Sequence, residues 1–241
     1  MRMNSIAYHS SSRWVPAVLL GLLLLAGCGG GEPPPAPDEL AAAAGRATHA
    51  AQSLRFSITI EGARVYTDDT RLFSLSRVEG QLQRPDGALA TLRARSLAGV
   101  AEIRTVSLAG RQYFTNPVTR AWQCLAPGTG FDPVILFDAE RGLEQLLQQQ
   151  YTGVTLVGEE TIDGRATYHL RGQIAGAALA AISGDRIGGD MVQADVWADR
   201  SSMQLVQIVL VSGAEGAQPS TWTLRFSGYD EPVDLRAPVE C

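Results

Sequence analysis

Cys28 is the residue whose neighbours say most about its chemistry. It closes Leu25-Ala26-Gly27-Cys28, behind an apolar run over residues 14–24 that follows Arg2 and Arg13. A basic start, an apolar segment of roughly 7–15 residues and small residues before the cut describe a secretory signal peptide. With cysteine next after the cut, the pattern is a lipobox. The thiol is diacylated, the chain is cleaved before Cys28, and the new amino group takes a further acyl chain such as palmitate. The same residues also fit an ordinary signal peptide with a chance cysteine, or an uncleaved anchor, although the run is short of the roughly 20 residues that span a bilayer. The lipobox reading predicts a signal peptide over residues 1–27, a lipidated cysteine and linker over 28–38, and a single domain over 39–241. It places that domain at the cell membrane, lipid-anchored on the extracytoplasmic face.

Elsewhere the chain offers little catalytic chemistry. His9 leaves with the signal, so only His49 and His169 remain. There is no G-x-S-x-G, H-E-x-x-H, P-loop or paired cysteine motif. His49 sits in an alanine-rich helical stretch, and His169 alternates with Tyr168 and Leu170, which places it on the other face of a strand. Both read as structural. Residues 184–190 (GDRIGGD) lack the alternating acids of a calcium loop and read as a connection, or a lip. Asp132, Asp138 and Glu140 near a helix start favour its dipole. No catalytic residue, metal or cofactor is expected.

Composition narrows the partners. The formal charge is −5, and removing residues 1–27 takes two arginines and no acid. An acidic domain is a poor match for nucleic acid. Every basic side chain besides histidine is Arg, which removes lysine-nucleophile chemistry. Cys124 and Cys241 are the remaining thiols; outside the cytoplasm such thiols pair readily, and their spacing alone leaves open whether these do.

The elements that position these residues follow from periodicity. Residues 29–37 (GGGEPPPAP) form a tether, slack where glycine-rich and extended where proline-rich. Residues 39–52 read as a helix with Asp38 as N-cap, and residues 54–61 alternate as a strand. Strand patterns recur at 72–82, 89–96, 102–108 and 112–115, with Pro85-Asp86-Gly87 as a turn. Trp122 and Cys124 fall in the loop beyond. Residues 134–150 carry a second helix. A hairpin at Asp163-Gly164 joins 154–162 to 166–173, and 175–182 is a short alanine-rich helix. Strands at 192–197, 205–211, 221–227 and 233–235 complete the chain.

About ten strands joined as hairpins, with three short helices, predict an α+β fold. The expected architecture is a strongly curved antiparallel half-barrel with helices over its concave face. Small residues on those helices face large ones on the sheet, which predicts an apolar cavity; a simply well-packed core is the competing expectation. The positions expected to meet a ligand start with Phe56, Ile58 and Ile60, then Leu82, Leu92 and Val106. The second helix adds Phe137, Leu143, Leu146 and Leu147. Leu156, Leu170, Val196, Ile208, Leu210, Leu224 and Phe226 come from the later strands.

Several segments together resemble the LppX/LprA/LprF/LprG family of mycobacterial-type lipoproteins. They are residues 54–61 after an alanine helix, 110–117 before Ala121-Trp122, and Phe131-Asp132-Pro133 with Gly142-Leu143 downstream. Residues 158–170 (GEETIDGRATYHL), Asp195-Val196-Trp197 and 226–232 (FSGYDEP) follow in the expected order, so the likeness spans 39–238. It implies a half-barrel similar also to LolA/LolB-type carriers. It further implies a pocket for acyl chains of lipids or lipoglycans, carriage of them across the envelope, and a transporter as a candidate partner. The short third helix, Cys124 and Cys241 depart from the family pattern. The alternative expectation is an envelope interaction or sensor module with a filled core and a protein partner.

Overall fold

The computed structural model describes residues 35–67, 70–125, 132–213, 216 and 218–241. The lipobox, Cys28 and most of the tether lie outside the described residues. Residues 35–241 form one unit.

Helix α1 spans Pro37–Ala50 and begins with proline rather than with an Asp38 cap; Ala36 holds the cap position and Asp38 is the second helical residue, in the first turn. That start suits proline, whose missing N–H would be unpaired there anyway. Strand β1 (Ser53–Gly62) follows, buried at Phe56, Ile58 and Ile60 and open at Arg55 and Glu61. After it come β2 (Val65–Tyr66), β3 (Ser74–Gln83), β4 (Gly87–Ser96), β5 (Gly99–Leu108), β6 (Arg111–Thr115) and β7 (Trp122–Leu125). Trp122 and Cys124 therefore belong to a strand, paired with Thr115 and Tyr113; no alternation in so short a segment announces it.

Helical periodicity continues through residues 134–150, yet the chain divides there. A 3-10 helix covers Pro133–Phe137 and α2 covers Leu143–Gln149. Asp138 causes the break: its Oδ1 accepts from the N–H groups of Glu140 and Arg141, a local turn that competes with the helix. The chain then forms β8 (Tyr151–Ile162), β9 (Arg165–Ala175), α3 (Gly176–Ser183), β10 (Met191–Asp199), β11 (Leu205–Ser212) and β12 (Ser220–Ser227). Residues 233–235, expected as a strand, run as irregular chain.

The sheet is antiparallel throughout, with strand order β7-β6-β5-β4-β3-β1-β12-β11-β10-β9-β8, and β2 paired to β3. Its ends do not meet, so it is an open half-barrel of twelve strands. The two chain-distant strands β1 and β12 pair at its centre, Phe56 opposite Phe226 and Ile58 opposite Leu224. Gly80 lies opposite Phe56 on β3; a Cβ there would stand 2.4 Å from the Phe56 ring.

The helices do not share the concave face evenly. Helix α1 packs on α2, β8, β10 and β11. Gly45 permits this, since a Cβ there would lie 2.5 Å from the Glu144 carbonyl. The 3-10 helix lies against β4, and its Phe137 ring sits 5.2 Å from Phe56 and 6.4 Å from Phe226. The space beneath Phe56 and Phe226, expected to stay open, is filled by that ring. A disulfide joins Cys124 to Cys241. Leu125 and Cys124 face opposite sides of β7, so the bond pins the C-terminal segment to the outer face of that edge strand.

Candidate lipid pocket

Between sheet and helices lies a pocket of about 470 Å3, within the roughly 300–1,000 Å3 of small-molecule sites. Leu75 and Val78 of β3, Leu92 of β4, Ile103 and Thr105 of β5, Phe114 of β6 and Leu125 of β7 form one wall. Ile58, Leu210, Trp222 and Leu224 form the floor, while Leu136, Leu143, Leu179, Ile182 and Ile187 roof it. A larger groove of about 750 Å3 runs on the opposite sheet face, but Arg55, Glu79, Gln81, Asp163, Arg165 and Arg225 line it. Sinking a hydrocarbon among those charges would desolvate them without compensation. The smaller pocket is the one suited to apolar matter.

Of the residues expected from sequence to meet a ligand, Ile58, Leu92, Leu143, Leu210 and Leu224 line this pocket. Phe56, Ile60, Leu82, Phe137, Leu146, Leu147, Leu170, Val196, Ile208 and Phe226 belong to the packed core, and Leu156 lies partly buried against it. Val106 is a correction. It stands in register between Leu89 and Tyr113, while Thr105 beside it lines the pocket, so Val106 is on the far face. Exposed Glu102 and Arg104 already mark the outward parity of β5, and with it Ile103 and Thr105 as inward. Leu125, Leu179 and Ile182 came from elements whose inward face the sequence left unassigned.

Thr67, Thr105, Ser183 and Arg186 break the apolar lining. Thr105 Oγ1 is buried and has no hydrogen-bond partner among the described residues. Arg186 reaches across the top: Nη1 donates to the Gly184 carbonyl at 2.6 Å, and Nη2 donates to the Thr67 carbonyl. It thereby ties the end of α3 to the segment after β2. Below, Arg84 fastens the roof to the sheet, donating to the carbonyls of Ala51 and Phe137 and to Glu144 at 2.6 Å. Burial pushes the Glu144 carboxyl up, against the pull of Arg84. Its Oε2 has no partner among the described residues.

His169 lies on the outer face, stacked on Trp197 with ring centroids 4.2 Å apart. Its Nδ1 bonds Glu160 at 2.8 Å and its Nε2 bonds Asp195 at 2.7 Å. Arg171 and Gln193 also donate to Asp195. Burial raises the Asp195 pKa, but the bonds from Gln193, His169 and Arg171 outweigh it and hold the carboxyl below the usual range. Trp197 Nε1 donates to Glu160 and likewise holds that carboxyl low. Both ring nitrogens of the histidine are thus held by carboxylates. Among the described residues, no three or more His, Cys, Asp or Glu side chains converge as a metal site would require.

The family model described as "LppX_LprAFG lipoprotein" matches residues 36–235. Among solved structures, LprF from Mycobacterium bovis is similar at TM-score 0.67 and 19% identity, covering 87% of this chain and 100% of that one. LppX from Mycobacterium tuberculosis is similar at TM-score 0.60 and 17% identity, covering 84% and 100%. A LolA superfamily protein from Nitrosomonas europaea reaches only TM-score 0.30 at 10% identity, covering 83% and 94%, too distant to argue from. No curated protein matches the chain.

Proposed function

The chain belongs to the LppX_LprAFG lipoprotein family, and from that premise we propose that it binds acyl chains of a lipid or lipoglycan in the 470 Å3 pocket and carries them across the cell envelope. The observation that carries this reading is the wall itself. Leu92, Ile103, Phe114 and Leu125 keep part of their apolar surface exposed inside a concave site, where a hydrocarbon would remove it from water. At roughly 25 cal/mol per Å2 of apolar area, one long chain gains several kcal/mol. Release then requires the roof to move or an acceptor, such as a transporter or a membrane, to take the chain. The anchor belongs to the same proposal: acyl groups on Cys28 hold the domain at the extracytoplasmic face of the cell membrane, and residues 29–36 set its reach.

Native mass spectrometry of the protein purified from its own host tests the binding. Lipid mass on the wild type, lost in Ile103→Trp with unchanged folding, is expected; ligand-free wild type from several preparations would overturn it. Replacing Cys28 by Ala should free the chain from membranes, and retention of that variant would refute the anchor. A second reading, an envelope interaction module with a filled core, draws on the Phe137 ring wedged between Phe56 and Phe226. A stable protein partner, together with a pocket that never takes lipid, would favour it.

A further inference from the structure

The large aliphatic side chains left exposed are distributed unevenly. Leu72 (65% exposed), Leu97 (107%), Val100 (68%) and Val118 (85%) lie in or beside the turns that join β2 to β3, β4 to β5 and β6 to β7. Met191 begins β10, and the less exposed Val157 alone lies mid-strand, on β8. The pairs Ser74–Arg95 and Ser96–Gly99 put the β2–β3 and β4–β5 turns at one end of the sheet; the β6–β7 turn opens the same way but stops short of it, since Phe114 pairs with Thr105. The connection after α3 reaches the same end, where Ser212 Oγ bonds both the N–H and the carbonyl of Gly188. There Thr67, Gly184 and Arg186 border the pocket. The turns at the other end present Asp86, Arg111, Asp163, Ser201 and Ser202 instead. One exposed leucine needs no explanation, but a set of them gathered at a single end does.

The arginines differ between the ends only in part: at the other end Arg111 has no carboxylate partner among the described residues, and Arg165 donates to the Phe226 carbonyl. Away from this end, Arg55, Arg84, Arg171, Arg200 and Arg225 each sit on a carboxylate. At this end, Arg64, Arg71, Arg95, Arg120 and Arg186 pair with no carboxylate among the described residues, although Glu61, Asp185 and Asp190 lie at the same end. Arg71 lies over the Tyr66 ring instead. Arg71 adjoins Leu72, and Arg95 lies two residues before Leu97. Separate aliphatic tips on several turns do not make the contiguous patch that a protein partner needs. Tips with guanidinium groups beside them suit a phospholipid surface: the apolar ends enter the upper acyl region and the cations meet phosphates.

We propose that this end of the half-barrel docks on a phospholipid surface, with Leu72, Leu97 and Val100 inserted and Arg71 and Arg95 on lipid phosphates. In that pose the pocket border lies against the bilayer, and an acyl chain enters without crossing bulk water. The inference extends the lipid-binding reading but is tested apart from it, because vesicle attachment needs no lipid to be extracted. The chain from residue 28 carrying Cys28→Ser, so that no acyl group attaches it, is floated with vesicles of phosphatidylcholine and phosphatidylglycerol. Attachment is expected, reduced by about tenfold or more in the Leu72→Ser/Leu97→Ser/Val100→Ser variant. Arg71→Gln and Arg95→Gln are each expected to weaken it roughly fivefold. All these side chains are exposed, so melting temperatures should match the wild type. No attachment, or attachment equal in all variants, overturns the proposal. So does a dimer that the leucine variants abolish in sedimentation, since the occupant would then be a second copy.

Discussion

The two halves of the sheet are built alike and finished differently. On β9, β10 and β11, helix α1, backed by α2, and helix α3 cover the inner face, and Leu170, Val196 and Leu205 are 0% exposed. The outer face is closed as well, by the His169–Trp197 stack and the carboxylates that hold it. On β4 to β7 the inner face has the 3-10 helix and the edge of α3 for cover, and Leu92, Ile103, Phe114 and Leu125 stay half-buried around the pocket. What stands in for packing there is covalent, the Cys124–Cys241 bond on the outer side of β7. A sheet of one kind can thus be a rigid wall on one side and a receptive one on the other, according to what covers it.

Five changes would break or sharpen that contrast. The largest effect is expected at the link between the halves. Arg84→Ala strands the Glu144 carboxyl in the core and should cost about 3–5 kcal/mol in chemical denaturation. Next, Leu170→Ala should cost about 2–5 kcal/mol. Leu92→Ala, at a wall that already borders empty space, should cost well under half of that; equal losses would erase the distinction. Replacing both Cys124 and Cys241 by Ser should cost about 2–4 kcal/mol, with hydrogen exchange rising in β5 to β7 and unchanged in β9 to β11. The smallest effect concerns pH. The Asp195 and Glu160 carboxyls are held below their ordinary values, so their contribution is full above the unfolded-state range and fades as pH drops through the lower folded values. Asp195→Asn should flatten the acid limb of the stability curve, read by thermal melting below about pH 4.

Much of the sheet was legible because alternation survives in the sequence: β1, β9 and β12 each show a clean apolar face, and Asp163-Gly164 marks its turn. The pocket was harder. Phe137 looks like any apolar residue on a helix, and only the break at Asp138 turns its ring under Phe56 and Phe226. Hydrophobicity alone makes Val106 a wall residue, whereas the charges at Glu102 and Arg104 set the parity that points it outward. Alanine and glycine in α1 do allow close approach, but to α2 through Gly45 rather than to the sheet. Periodicity names the face a residue occupies; it does not say which element arrives to cover it.

The central claim is that the sparsely covered half receives an acyl chain. Photolysis of a diazirine-bearing fatty acid bound to the protein, followed by peptide mapping, tests it most directly. Labels concentrated on Leu92, Ile103 and Phe114, and absent from Leu170 and Val196, are the predicted result. Labels scattered over the outer surface, or none above background, would contradict the account.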